Sequence, residues 1–413
     1  MCYNKNIEKG IFMKKKIIIS IILIIIISLI ISILFIFNFF KPVTTVINLS
    51  DNLTFQYDDE VYLYDTISII DGNILTENYL INTDELGSKE IEISYKDSNK
   101  WKKTYKYSID VVDKIAPLLS VGKNLYVGVG NKDEEILKNA FWGDNCDREV
   151  DVKINGEYDL NTLGNYPVEI IAKDDSGNKS SVNSTIHVYQ PKNNNTNNNN
   201  NTTKQGIDIN YFLKNYKTDN TSIGLDISEF QVVTDFNAIK EAGIDFVILR
   251  IGFGPRSDYS FYTDNRFEEY YKGAKEAGLK VGAYFFSYAT TVDEVDYEIN
   301  YVLDMLKNKE IDLWVSYDWE NWKDFKNAHM SFTDLNKMAK KFVKAMNDNG
   351  YKGMNYGSKA YLDEIWNLTG IDTWLAHYNK ETSYNKPFNI WQITDEGKVP
   401  GISNLVDVDI LFN

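Results

Sequence analysis

From about residue 221 onward the chain alternates short apolar runs with longer amphipathic ones, and no other feature restricts its fold as tightly. Strand-like runs cover 223–228, 246–252, 280–287, 313–320, 353–357, 373–378, 390–394 and 406–412. Helix-like runs at 235–242, 266–277, 292–306 and 333–347 separate the early strands, and Ala-Gly at 242–243 and 277–278 and Asn-Gly at 349–350 act as stop signals. Alternating strands and helices, followed by strands with little helix between them, predict an α/β barrel whose last third is helix-poor. Catalytic groups of such barrels collect at the C-terminal ends of the strands. Asp226, Asp318, Glu320, His377, Gln392 and Asp407 fall at or near those ends.

The fourth run carries a pair of acids, Trp314-Val-Ser-Tyr-Asp-Trp-Glu320. On a strand, Ser316, Asp318 and Glu320 share one face, and Val315, Tyr317 and Trp319 share the other. Two carboxyls side by side among aromatic rings cannot both ionise cheaply. Repulsion and desolvation push one pKa up, leaving a protonated acid beside an anion near neutral pH. Glycoside hydrolysis uses that arrangement, with one acid for the leaving oxygen and one anion for the oxocarbenium-like transition state. An i, i+2 spacing does not fix the carboxyl separation, so retaining and inverting geometries both stay open.

Gly224-Leu-Asp-Ile-Ser228 opens the region, followed by Phe246-Val-Ile-Leu-Arg-Ile-Gly252, Gly282-Ala-Tyr-Phe-Phe-Ser287 and Tyr317-Asp-Trp-Glu320. Trp374-Leu-Ala-His-Tyr378, Ile390-Trp-Gln392 and Val406-Asp-Val-Asp409 come after. In order and spacing these motifs resemble glycoside hydrolase family 25, the N-acetylmuramidase type of lysozyme. The resemblance covers just under half of the chain and implies an irregular, helix-poor (β/α) barrel over 219–413. It implies Glu320 as general acid, Asp318 as the second carboxylate on the same strand, and Asp226 and Asp407 as further acids lining the groove. Tyr284 and Tyr356 match positions near the catalytic centre, and Trp374, Tyr378 and Trp391 would floor the sugar subsites. Trp374 and Tyr284 also fit plain barrel packing, and Arg250 is expected to pair with a carboxylate inside the barrel. The chain departs from the family at Asp409, where Asn is common. The implied activity is cleavage of the β-1,4 bond between N-acetylmuramic acid and N-acetylglucosamine in peptidoglycan glycan strands, with no metal and no cofactor. Either Asp318 orients the sugar's 2-acetamido group, which itself attacks the anomeric carbon, or Asp318 is the nucleophile. The acid-x-acid pair favours the assisted route.

Other chemistries fit poorly. The three histidines, His187, His329 and His377, include no His-x-x-x-His pair. Gly252-Phe-Gly254 lacks the third glycine of a nucleotide fingerprint. Cys146 is the one cysteine beyond the apolar N-terminal run, so no intrachain disulfide is expected there. A net charge of −15 offers no basic stripe for nucleic acid.

The N-terminal run 17–40 is apolar apart from Ser20, Ser28, Ser32 and Asn38, and exceeds the ~20 residues that a bilayer-crossing helix needs. Lys14-Lys-Lys16 precedes it, so the expected orientation leaves 1–16 cytoplasmic and the enzyme outside the cell membrane. Between anchor and enzyme lies a repeat: Leu86-Gly-Ser-Lys-Glu-Ile-Glu-Ile-Ser-Tyr-Lys-Asp-Ser98 returns as Leu163-Gly-Asn-Tyr-Pro-Val-Glu-Ile-Ile-Ala-Lys-Asp-Asp175. Such a repeat suits two small β-sandwiches, 44–113 and 114–189. The second resembles bacterial immunoglobulin-like surface domains, and the first does so less closely. Their expected job is to space the enzyme from the membrane, the alternative being to bind wall polymer or a protein partner. The Asn-rich stretch 190–208 is too polar to fold and, as a coil, would let the enzyme roam by roughly 20–25 Å. Two rival functions are an inactive glycan-binding surface protein and a chitinase-like glycosidase.

Overall fold

The computed structural model describes residues 3–39, 47–69, 72–97, 100–191, 205–255, 258–323 and 325–413. The chain divides into two compact units, Met1–Asp113 and Lys114–Asn413. In the first, the helix Tyr3–Phe39 contains a stretch, Phe12–Ile36, of mean hydropathy 3.5, long and apolar enough to cross a bilayer. Phe40, the end of the expected span, lies outside the described residues. The β part of this unit is built on a hairpin, Gly87–Lys96 against Lys102–Val112. Thr54–Gln56 runs parallel to the second strand of the hairpin, and Asn73–Ile74 antiparallel to the first. Strict alternation turns Ile91, Ile93, Tyr107 and Ile109 into one core.

The second unit repeats this plan before its C-terminal domain begins. Gly164–Lys173 pairs with Lys179–Tyr189, Asn124–Gly128 lies parallel to the second strand, and Asp151–Asn155 antiparallel to the first. The sequence repeat is therefore also a repeat of strand order. Residues 192–204, the core of the expected linker, lie outside the described residues. The domains on either side of them touch: Phe141 packs against Phe325 and Phe332, and Arg148 forks onto Asp334. The expectation of an enzyme roaming free of this β domain is thus corrected.

In the C-terminal domain a short strand, Ile207–Asp208, leads into helix α1 (Ile209–Tyr216), which Asp208 caps by accepting the Asn210 N–H. The domain thus starts before residue 219. Then follow β1 (Thr221–Ile227), α2 (Phe236–Glu241), β2 (Phe246–Gly254), α3 (Phe267–Glu276), β3 (Lys280–Ser287), α4 (Glu294–Leu306) and β4 (Trp314–Trp319). The rest is α5 (Phe332–Asp348), β5 (Lys352–Ser358), α6 (Lys359–Glu364), β6 (Thr373–Ala376), β7 (Ile390–Lys398) and β8 (Val406–Phe412). Strands β1 to β7 are parallel in sequence order, and β8 closes the ring by pairing antiparallel with both β1 and β7. Gly278 and Gly350, two of the stop signals, sit at φ +73° and +86° just past α3 and α5, a left-handed conformation that glycine adopts without strain.

Both faces of the ring strands are covered, as parallel strands require. Val315, Tyr317 and Trp319 of β4 point outward into the layer of helices, whose core also takes in Phe342 and Met346 of α5. Inside the ring Phe246, Ile248, Tyr284, Met354, Tyr356, Trp374 and Ile390 form a second, smaller core. That inner plug supports the carboxylates above it.

Candidate active site

The strand alternation puts Ser316 and Asp318 on the inner face of β4, with Glu320 one residue past its end. Asp318 lies level with Phe286 on β3 and Tyr356 on β5, and Tyr356 is level with Trp374 on β6. Across the ring, Asp226 of β1 stands opposite Asp407 of β8, with Asp409 two residues further along. The structure therefore gathers Asp226, Asp318, Glu320, Asp407 and the additional Asp409 at one mouth of the ring.

Their surroundings differ. Asp318 is 5 % exposed, and burial, with the Glu320 charge behind it, raises its pKa well above the usual carboxylate range. Glu320 presents surface to solvent while protein crowds it from behind, and this partial desolvation also raises its pKa. Burial raises Asp226, helped by the charges of Asp407, Asp409 and Asp318. Asp409 is raised by burial and by Asp407, against the opposing pull of the Trp374 N–H. Asp318 and Glu320 titrate as a coupled pair, the charge on Glu320 adding to the upward shift that burial gives Asp318.

Gln392 organises the floor. Its Oε1 accepts the hydroxyls of Tyr356 at 3.0 Å and Tyr378 at 2.9 Å, and its Nε2 donates to Asp226 Oδ2 at 3.3 Å. Buried Asp226 Oδ1, Asp318 Oδ1 and Asp409 Oδ2 have no hydrogen-bond partner among the described residues. Carboxylate oxygens left this way at the mouth of a strand ring are suited to hydroxyl and amide N–H groups. Arg250 pairs as expected, with Asp264 at 2.9 Å and Glu229 at 3.0 Å, and so ties the segments after β1 and β2 together.

Two aromatic expectations are corrected. Trp391 lies next to Gln392, so the two side chains take opposite faces of β7. The indole packs in the outer core, edge-on to Tyr216, and donates to the His377 carbonyl. It cannot floor a sugar subsite. Trp374 is 1 % exposed in the inner plug between Tyr284 and Tyr356, with its N–H on Asp409, so it holds an acid instead of offering a stacking face. Tyr284 and Tyr356 are also buried, whereas Tyr378 is 54 % exposed. Sequence reasoning missed an aromatic shelf past β2 and β3, where Phe253 stacks on Tyr262 at 4.7 Å and meets Tyr288 edge-on at 5.8 Å. Phe253, between Gly252 and Gly254, was its visible signal. His377 stands apart from the acids, with Nδ1 on Thr382.

Comparison with known proteins identifies the segment. The profile of "Glycosyl hydrolases family 25" matches residues 225–402. The autolytic lysozyme of Clostridium acetobutylicum is 28 % identical over 189 residues, 45 % of this chain and 54 % of that protein. The chain thus spans about half the length of this curated relative. Among solved structures, the spore cortex lytic enzyme SleM of Clostridium perfringens is 20 % identical, with a TM-score of 0.41 over 47 % of this chain and 68 % of that one. A family 25 glycosyl hydrolase of Bacillus anthracis is 16 % identical, with a TM-score of 0.41 over 48 % and 93 %. The profile match and the curated relative both make residues 225–402 of this chain similar to the family 25 glycosyl hydrolases.

Proposed function

We propose that the protein is a membrane-anchored muramidase that hydrolyses the β-1,4 bond between N-acetylmuramic acid and N-acetylglucosamine in peptidoglycan. Its C-terminal domain is an irregular (β/α) barrel, and the two β domains before it are immunoglobulin-like. The observation that carries this reading is the Asp318–Glu320 couple: one carboxyl is buried on the inner face of β4, the other is open to the groove, and both pKa values are raised.

In this mechanism Glu320 donates the couple's proton to the leaving glycosidic oxygen. Asp318, ionised as that proton departs, accepts the acetamido N–H and holds the group so that its carbonyl oxygen attacks the anomeric carbon. An oxazolinium ion forms on the sugar. Glu320, now a base, takes a proton from the water that opens it. Asp226, Gln392 and Asp407 bind hydroxyls on the far side, and Tyr378 supplies an exposed ring beside them. The helix Tyr3–Phe39 anchors the chain with its N-terminus in the cytoplasm, which restricts cutting to wall near the cell's own membrane.

Digestion of purified peptidoglycan tests this directly. New reducing ends on muramic acid are expected. Reducing ends on glucosamine would point to a chitinase-like cut, and the absence of any released end to a glycan-binding protein without activity.

A further inference from the structure

Among the described residues from Glu320 to the start of α5, none pairs with a strand of the ring. Glu320 follows the last residue of β4, and its carbonyl accepts the Trp322 N–H at 2.7 Å. The position of the Trp322 ring therefore bears on the backbone of Glu320. That ring lies flat on Tyr361, with centroids 3.8 Å apart and planes 14° apart, and edge-on to Trp319 at 4.9 Å. Tyr361 is near enough to Glu320 for the carboxylate to add to the upward pKa shift that burial gives its hydroxyl.

The second β domain closes the other side of this stack. Phe141 meets Trp322 edge-on at 5.8 Å and Tyr361 at 5.9 Å. Gly143 leaves no room for a side chain, since a Cβ there would come within 2.7 Å of the rings of both Phe325 and Phe332. The Phe332 and Thr333 amides, in the first turn of α5, donate to the carbonyls of Asp144 and Asn145 at 2.8 and 3.3 Å. Arg148 grips Asp334 with Nε at 2.9 Å and a terminal nitrogen at 3.1 Å, and Lys326 Nζ sits 3.5 Å over the Trp142 ring. Aromatic packing at the centre with charge pairs and hydrogen bonds around it is the anatomy of a specific interface.

We propose that Phe141, Gly143 and Arg148 are positioning residues for the reaction: through Trp322 and Tyr361 they fix the place of Glu320, so the second β domain is a wall of the catalytic site and not a spacer. The inference rests on the proposed role of Glu320 as proton donor. A donor displaced by about 1 Å loses on the order of 10²-fold in rate. A loosened wall also admits water, which eases ionisation of Glu320 and lowers its pKa.

The test uses the full chain in detergent micelles with Gly143→Val, Phe141→Ala and Phe141→Leu, all on the β-domain side of the contact. Amide hydrogen exchange over residues 321–331 is read first, because it does not depend on activity. We expect exchange there to rise by about tenfold or more in Gly143→Val and Phe141→Ala, with the ring strands unchanged. In the same variants kcat on purified wall falls about 10- to 100-fold with little change in KM, and the alkaline limb of kcat moves to lower pH. Phe141→Leu, which keeps an apolar filler, restores most of both. Unchanged exchange at 321–331 overturns the proposal, as does faster exchange with an unmoved kcat and pH profile. If Gly143→Val loses protection throughout, it has misfolded, and the two Phe141 variants decide the matter. A wild-type chain that releases no sugar would instead sink the proposed reaction, and the exchange would still decide whether the β domain holds this segment.

Discussion

The indole N–H of Trp374 donates to Oδ1 of Asp409 at 2.8 Å, across the inside of the ring from β6 to β8. The other oxygen of that carboxyl has no partner among the described residues, so the indole is a principal restraint on a buried acid. The charge of Asp409 in turn adds, after burial and the charge of Asp407, to the upward pKa shift of Asp226, because a negative charge nearby opposes ionisation. A fully buried tryptophan thereby tunes a groove that it never touches.

Trp374→Phe removes the donor and leaves most of the ring. An unsatisfied buried carboxyl costs about 1–3 kcal/mol, and that loss should appear as a lower denaturation midpoint. The bond favours the ionised form of Asp409, so its absence matters most where that form is populated. Denaturant melts should show a larger loss at pH 8 than at pH 5. An equal loss at both would mean that the bond serves a neutral carboxyl.

Glu320→Gln is expected to lower wall hydrolysis by about 10²–10⁴-fold with an unchanged thermal melt. The amide has almost the same shape but no proton to give. Near-normal turnover in this variant would remove Glu320 from the reaction.

Asp318→Asn distinguishes the two routes when combined with trapping. Both routes lose most activity in the variant, because the acetamido group loses its anionic acceptor or the sugar loses its nucleophile. The wild-type chain given a fluorosugar substrate should show no covalent adduct by mass spectrometry. An ester on Asp318 would establish it as the nucleophile and end the assisted mechanism.

Glu298 offers a pH test away from the groove. It lies wholly buried on α4, accepting the Ser287 hydroxyl at 2.7 Å, and burial raises its pKa well above the usual range. An acid with a raised folded-state pKa favours the fold fully below its unfolded pKa, and that contribution is lost as pH rises through the folded value. Glu298→Gln should therefore melt close to wild type in mild acid and above it in mild alkali. Parallel melting curves across that range would show that Glu298 has the same pKa in the folded and unfolded chain.

Much of this arrangement is legible in the order of residues, and the misreadings have physical causes. Period-two alternation along 314–320 separates Asp318 from Tyr317 and Trp319, and the structure divides them the same way. The same rule applied to Trp391 and Gln392 sets the indole and the amide on opposite faces of β7, as the structure has them. Helix α1 escaped notice because it is short and follows a polar stretch, although its cap, Asp208, is visible in the sequence. The contact between the β domain and the segment after Glu320 has no local signature. Phe141–Gly143 is a three-residue strand, and Arg148 meets Asp334 186 positions later. Which apolar residues meet over such separations is set by the tertiary fold, and no periodicity records it.

The seam at which β1 meets β8 places Asp226 against Asp407 and so joins the first and last strands of the catalytic domain. Closing so long a stretch of chain carries an entropic cost that is recovered only when the final strand docks. Until then β1 and β7 are raw edges, and the groove lacks the acids of β8. The full set of acids at this mouth of the ring is therefore assembled in one step, with the docking of β8.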